Sequence, residues 1–214
     1  MYFPYLRGRQ YELLAIRELV SHDLLSDNII PIIEPVKLSS TLAKTMETFI
    51  RKKHKLAIVC NPAVGYFNND MKSEENDSGK KQFLELLKNE FIIKSHIIKS
   101  NSNKQISNWE AKMGVSKDEW IIINNNRDYI DLYNEIFSSI NPKYVLIPDE
   151  FRRKFKNNKV LFEDKFKKQE RNSDYSLIPD EFFSEDHIFY KEENFCGFAD
   201  YSIIGKDFLD SGFA

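Results

Sequence analysis

The sequence predicts an α/β chain folded as a (β/α)8 barrel of the TIM-barrel kind, trimmed or else incomplete at its C-terminus, with an open parallel α/β sheet as the alternative. Three observations lead there. Eight short runs rich in Ile, Val, Leu and Phe alternate with longer stretches whose apolar residues recur every three or four positions. Several of the short runs are apolar at both parities, as a parallel strand covered on both faces requires. The seven glycines are isolated and form no GxGxxG or Walker loop, which removes the best support for a nucleotide-binding open sheet.

The elements follow in order. FPYL (3–6) opens the strands, and YELLAIRELV (11–20) puts Leu13, Leu14, Ile16 and Val20 on one helical face. IIPIIEP (29–35) is the second strand, followed by the helix STLAKTMETFIRKKH (40–54), which opens with Ser and Thr suited to capping. LAIVCNP (56–62) is the third strand. The polar, aperiodic GYFNNDMKSEENDSG (65–79) reads as a flexible exposed loop before the helix KKQFLELLKNEF (80–91). SHIIKS (95–100) and WIIINN (120–125) are the next strands, and RDYIDLYNEIFSSI (127–140) is a helix stopped by Pro142. YVLIPDE (144–150), KVLFEDKF (159–166) and GFADYSIIG (197–205) complete the set. Only FRRKFKNN (151–158) separates two of these, fewer residues than the dozen or so of a crossover helix, so one βα unit is irregular. The whole of 1–214 reads as one domain, small beside the roughly 250 residues typical of such barrels.

Composition narrows the function. With 31 basic and 33 acidic side chains, the formal charge of −2 gives no global attraction for nucleic acid or an anionic membrane. No apolar run reaches the roughly 18 residues of a bilayer span, and the start has no signal-peptide layout, so a cytoplasmic protein is expected. Cys60 and Cys196 exclude a disulfide framework or a paired-CxxC zinc site and read as buried thiols. Histidines 22 and 54 read as surface residues on helices and His187 as embedded in a charged helix; only His96 enters a strand, and no HxH or HExxH spacing exists. The runs RKKHK (51–55) and FRRKFKNNKVLFEDKFKK (151–168) interleave cations and Phe, but Glu163, Asp164, Glu170 and Asp174 interrupt the positive field, which favours solvated faces over nucleic-acid binding.

The phrases YVLIPDEF (144–151) and YSLIPDEF (175–182) are near copies. Their flanks share nothing, so duplication is not implied. Asp149 and Glu150 fall at a strand end, whereas Pro179, Asp180 and Glu181 fit the first turn of a helix.

In a barrel the active site forms at the C-terminal ends of the strands, so the polar residues ending each run are the candidates. They are Glu34, Asp149, Asp164 and Asp200 as catalytic carboxylates, with Arg7, Asn61, Lys99, Asn125 and Lys165 as substrate-binding groups. Converging on one mouth, they could hold a divalent cation through oxygen ligands, bind a phosphate, or supply an acid and base pair. The competing explanation is that such residues cap helices and fill turns. Glu34 stands out, because a carboxylate between an apolar strand and two prolines needs a partner.

The segments YFPYLRGRQYELLAIRELV (2–20), IIPIIEPVK (29–37), FEDKFKKQERNSDY (162–175) and GFADYSIIGKDF (197–208) resemble the beta-protein family named after a phage T4 protein, and more closely a bacterial branch of it. The resemblance implies a setting beside a small nuclease-like protein, in phage–host conflict or mobile elements, and carries over no catalytic residues. It also implies a chain continuing past SGFA; an apolar face around Tyr201, Ile203 and Ile204 would then be covered by a partner or a second copy. Two functions are expected from this: a partnered regulatory or binding component, or a metal-assisted barrel hydrolase of a phosphate-containing or glycosidic substrate.

Overall fold

A computed structural model describes residues 1–167, 169–177, 180–202 and 205–206. Eight parallel strands close into a barrel in chain order, β1 (Tyr2–Leu6), β2 (Ile32–Ile33), β3 (Leu56–Val59), β4 (Ile92–Ile97), β5 (Ile121–Ile123), β6 (Tyr144–Ile147), β7 (Lys159–Phe162) and β8 (Gly197–Tyr201), with β8 pairing back onto β1. The sheet is therefore neither open nor incomplete. The helices α1 (Gln10–Ser21), α2 (Ser40–Arg51), α3 (Phe67–Asp70), α4 (Asp77–Leu87), α5 (Ser102–Met113), α6 (Ile130–Ile136) and α7 (Asp186–Phe189) lie in the connections.

Two apolar layers explain the closure. At alternate positions, Phe3, Ile32, Val59, Ile121, Leu146 and Val160 fill the barrel, while Ile33, Ile58, Ile122, Val145 and Leu161 face the helices and meet residues such as Leu13, Met46 and Phe83. Both sets are almost fully buried, which is why the runs are apolar at both parities. Ser39 caps α2 by accepting from the Leu42 N–H at 3.2 Å, and Gly114 ends α5 in the left-handed region at φ 66°.

Several expectations shift. The segment 65–79 is not all loop: α3 forms within it, and Phe67 is buried against Phe83 with ring centroids 5.3 Å apart. α5 has no counterpart in the expected helices, and β4 begins three residues earlier than expected because Leu87, not Phe91, ends α4. The link between β6 and β7 is a single 3-10 turn, Asp149–Phe151, as its length demanded. Residues 180–185 are not helical; α7 starts at Asp186, and Pro179 lies outside the described residues. His54 is buried, edge-on to Phe49 and hydrogen-bonded to the Ser26 and Lys55 carbonyls, and Cys196 is exposed while Cys60 is buried.

Gly197 guards the seam of the barrel. A Cβ there would stand 2.7 Å from the Met1 carbonyl oxygen and 2.8 Å from the Phe3 ring, and that carbonyl already accepts the Phe198 N–H at 3.1 Å. Replacing Gly197 by Val should cost about 3 kcal/mol, because backbone on one side and a packed ring on the other cannot both yield. A urea midpoint within error of the wild type would show that the seam is softer than this.

Candidate functional site

The two-residue period of the strands decides which side chains reach the barrel mouth. Continuing the inward set of each strand past its end leads to Arg7, Glu34, Asn61, Lys99, Asn125, Pro148 and Asp164. Asp149, Lys165 and Asp200 fall on the other parity. Asp200 belongs to the outer face of β8 and accepts a hydrogen bond from the Tyr2 hydroxyl at 2.8 Å; burial raises its pKa, with that bond opposing. Lys165 bridges Glu163 at 2.8 Å and Asp186 at 3.3 Å. Desolvation lowers its pKa, but the two carboxylates outweigh this and leave it raised. Asp149 pairs with Arg152 at 2.6 Å inside its own 3-10 turn.

Glu34 is buried and fully engaged. One oxygen accepts the Tyr5 hydroxyl at 2.8 Å and pairs with the Arg7 guanidinium; the other accepts the Ala63 N–H at 2.7 Å. Arg7 also donates to the Lys206 carbonyl at 2.7 Å and lies 5.0 Å from the centre of the Tyr201 ring. Burial, then the Glu34 charge, pushes the Tyr5 hydroxyl well above its ordinary pKa, so Tyr5 stays a donor.

Asn61 clamps the end of β4, donating to the Ile97 carbonyl and accepting the Ile97 N–H, both at 2.8 Å. Beside it, the Lys99 N–H donates to the Ser102 hydroxyl at 2.7 Å, and that hydroxyl donates to His96 Nε2 at 2.9 Å. The Lys99 ammonium is half-buried, and its hydrogen bond is to the Asn61 carbonyl at 3.3 Å. Desolvation lowers its pKa, and the nearby Glu34 charge offsets this in part.

On the β5 to β8 side of the mouth, a cleft of about 220 Å³ is lined by Asn125, Glu150, Glu163, Asp164 and Lys206 over Phe162 and Tyr201. Asp164 is held from both sides, accepting the Lys206 N–H at 2.6 Å and the Phe166 N–H at 3.0 Å. Tyr201 is buried, its hydroxyl pushed up to about 12 by burial, so it forms no exposed apolar face; Ile203 and Ile204 lie outside the described residues. Tyr5, Phe162, Tyr201 and Glu163 were not among the sequence candidates. For two of them the signal that could have found them is parity: Tyr5 and Phe162 each precede an inward polar position, Arg7 and Asp164, by two residues, whereas Tyr201 and Glu163 carry no such mark.

The carboxylates proposed from the sequence thus disperse. Among the described residues no three His, Cys, Asp or Glu side chains stand together as metal ligands would, and no helix is long and apolar enough to cross a membrane. The donor set does not fit an oxygen-ligated divalent cation built from Glu34, Asp149, Asp164 and Asp200.

The connection from β7 to β8 begins at the cleft with Glu163 and Asp164 and is braced within itself by Lys165–Asp186 at 3.3 Å and Lys167–Glu181 at 3.4 Å. It exposes Phe182 at 65%, Ile188 at 56%, and also Phe183 and Phe189; Phe166 packs on Phe183 at 5.4 Å. Within residues 180–193 the acids Asp180, Glu181, Glu185, Asp186, Glu192 and Glu193 outnumber one lysine, Lys191; of these acids, Glu181 and Asp186 are paired with Lys167 and Lys165. By contrast, Phe151 and Phe155 of the basic run are core residues, with Arg153, Lys154 and Lys156 in solvent.

No family model matches this chain, and no curated protein or solved structure does either.

Proposed function

We propose that the protein is a binding or regulatory component that works in the cytoplasm through a protein partner, docked on the acidic, aromatic face formed by residues 180–193. The observation that carries the reading is the exposure of four large apolar side chains within residues 182–189, a density that a free-standing surface disfavours. The acids around them select the occupant: a partner whose contact surface is basic and offers apolar pockets, since like-signed surfaces repel and rim charges steer encounter. The resemblance to the beta-protein family supports a setting of phage–host conflict or mobile elements, with a nuclease-like neighbour as the partner to try first. A metal-assisted hydrolase has less support, because Glu34 is saturated by neighbours, Asp149 is paired with Arg152 and Asp200 points out of the mouth.

The test is affinity capture from native cells with the wild type and with a Phe182→Ser, Ile188→Ser variant, whose sites are exposed and whose thermal midpoint should not move. The expected result is a stoichiometric basic protein, retained by the wild type, released by salt and lost in the variant. Capture of nothing, equal capture by both, or self-association of the pure chain through this face in sedimentation would each overturn the reading.

A further inference from the structure

The barrel mouth holds a second feature, independent of the docking face. Lys99 is an inward-facing cation at the end of β4 whose ammonium is half-buried, yet among the described residues no carboxylate lies within 4.0 Å of it. The nearest acid by its electrostatic effect, Glu34, is engaged by Arg7, Tyr5 and Ala63. Lys165 shows the contrast, with two carboxylate partners on the outer parity. A partly desolvated ammonium hydrogen-bonded to a neutral carbonyl gains most from an anion brought to it.

The backbone under Lys99 is fixed with unusual care. The carboxamide of Asn61 holds both polar groups of Ile97, and Ser102, backed by His96, holds the N–H of Lys99 itself. Ser102 and His96 are fully buried, so this network faces no ligand; it sets where the Lys99 side chain starts. The next strand around the barrel, β5, leads to Asn125, which lines the cleft floored by Phe162 and Tyr201. The far rim carries Glu150, Glu163 and Asp164. Lys206 also lines the cleft, but three carboxylates against one ammonium leave that rim net negative, so it accepts hydrogen bonds and orients a ligand with its negative end toward β4.

We propose that Lys99 and this cleft form a small-molecule site that takes an oxyanion, carboxylate or phosphate, at Lys99, with an apolar or planar body lying on Phe162 and Tyr201. Hydrogen-bond donors at the other end of the ligand would meet Glu150 and Asp164.

The test is an NMR titration of the full chain carrying ¹³Cε-labelled lysines, with inorganic phosphate, benzoate and the neutral isostere benzamide as probes. Lys53 and Lys55, exposed at the opposite end of the barrel, serve as internal controls. The expected result is that phosphate or benzoate moves the Lys99 resonance and raises its titration midpoint, because a bound anion favours the ammonium form, while benzamide does neither. Lys99→Met should weaken binding by about tenfold or more, and Lys99→Arg should retain it within a few-fold. A response to phosphate alone identifies a phosphate head, and a response to benzoate alone a carboxylate on an apolar body. A Lys99 signal that answers both anions no more than Lys53 and Lys55 do, or binding unchanged in Lys99→Met, would overturn the proposal.

Discussion

Replacing Glu34 by Gln should destabilise the folded chain by about 3–5 kcal/mol, the usual consequence of leaving one member of a buried ion pair without the other. Arg7 and Glu34 are both almost completely buried, and the carboxylate also accepts Tyr5 and the Ala63 N–H. The Gln side chain keeps the shape but offers an N–H where Tyr5, Arg7 or Ala63 needs an acceptor, so at least one buried donor is orphaned. Arg7 would retain its bond to the Lys206 carbonyl and its place on Tyr201, which limits the loss. The companion Arg7→Met, Glu34→Gln double variant should recover much of the deficit, because removing both charges removes the uncompensated one. Urea unfolding of the two singles and the double closes the cycle. A Glu34→Gln cost under about 1 kcal/mol would mean that water reaches the pair and that Glu34 is less committed to structure than its contacts imply.

The barrel itself was legible because runs such as III (121–123) and LAIV (56–59) satisfy two packing layers at once, as a parallel strand covered on both faces must. The mouth was legible in part, for a reason of period. Arg7, Glu34, Asn61, Lys99, Asn125 and Asp164 all lie on the inward parity of their strands, whereas Asp149, Lys165 and Asp200 are one residue out of step and turn to the other face. Choosing the last polar residue of each run ignores that step. α5 escaped notice because it buries only Ser102 and Ile106, too little apolar surface to mark a helical stripe. The exposed aromatics of 182–189 could not be told from core residues, since exposure is a property of packing, not of residue type. The Asn61–His96–Ser102 network joins residues up to 41 positions apart, and only the pairing of β3 with β4 brings them together.

That network yields the expected result with the widest reach in pH. His96 is fully buried, edge-on to Trp120 at 6.0 Å, and burial, followed by the Lys99 charge, lowers its pKa from 6.5 to about 3. Its Nε2 accepts from Ser102, so the native ring is neutral and a second proton would have to enter an apolar site. The unfolded chain binds that proton near pH 6.5, and the folded chain does not until about pH 3. Between these values the unfolded state holds more protons, so stability is complete above pH 6.5 and falls as the pH drops toward 3. The slope approaches about 1.4 kcal/mol per pH unit, and the total is about 5 kcal/mol at most. Urea midpoints measured from pH 7 to pH 4 should therefore fall more steeply in the wild type than in a His96→Gln variant, which is less stable at pH 7 but has no proton to gain there. The His96 ring resonance should stay in its neutral position throughout that range. A ring that titrates near pH 6 in the folded chain would show that the clamp under Lys99 opens to water, and the rigid placement of that lysine would have to be abandoned with it.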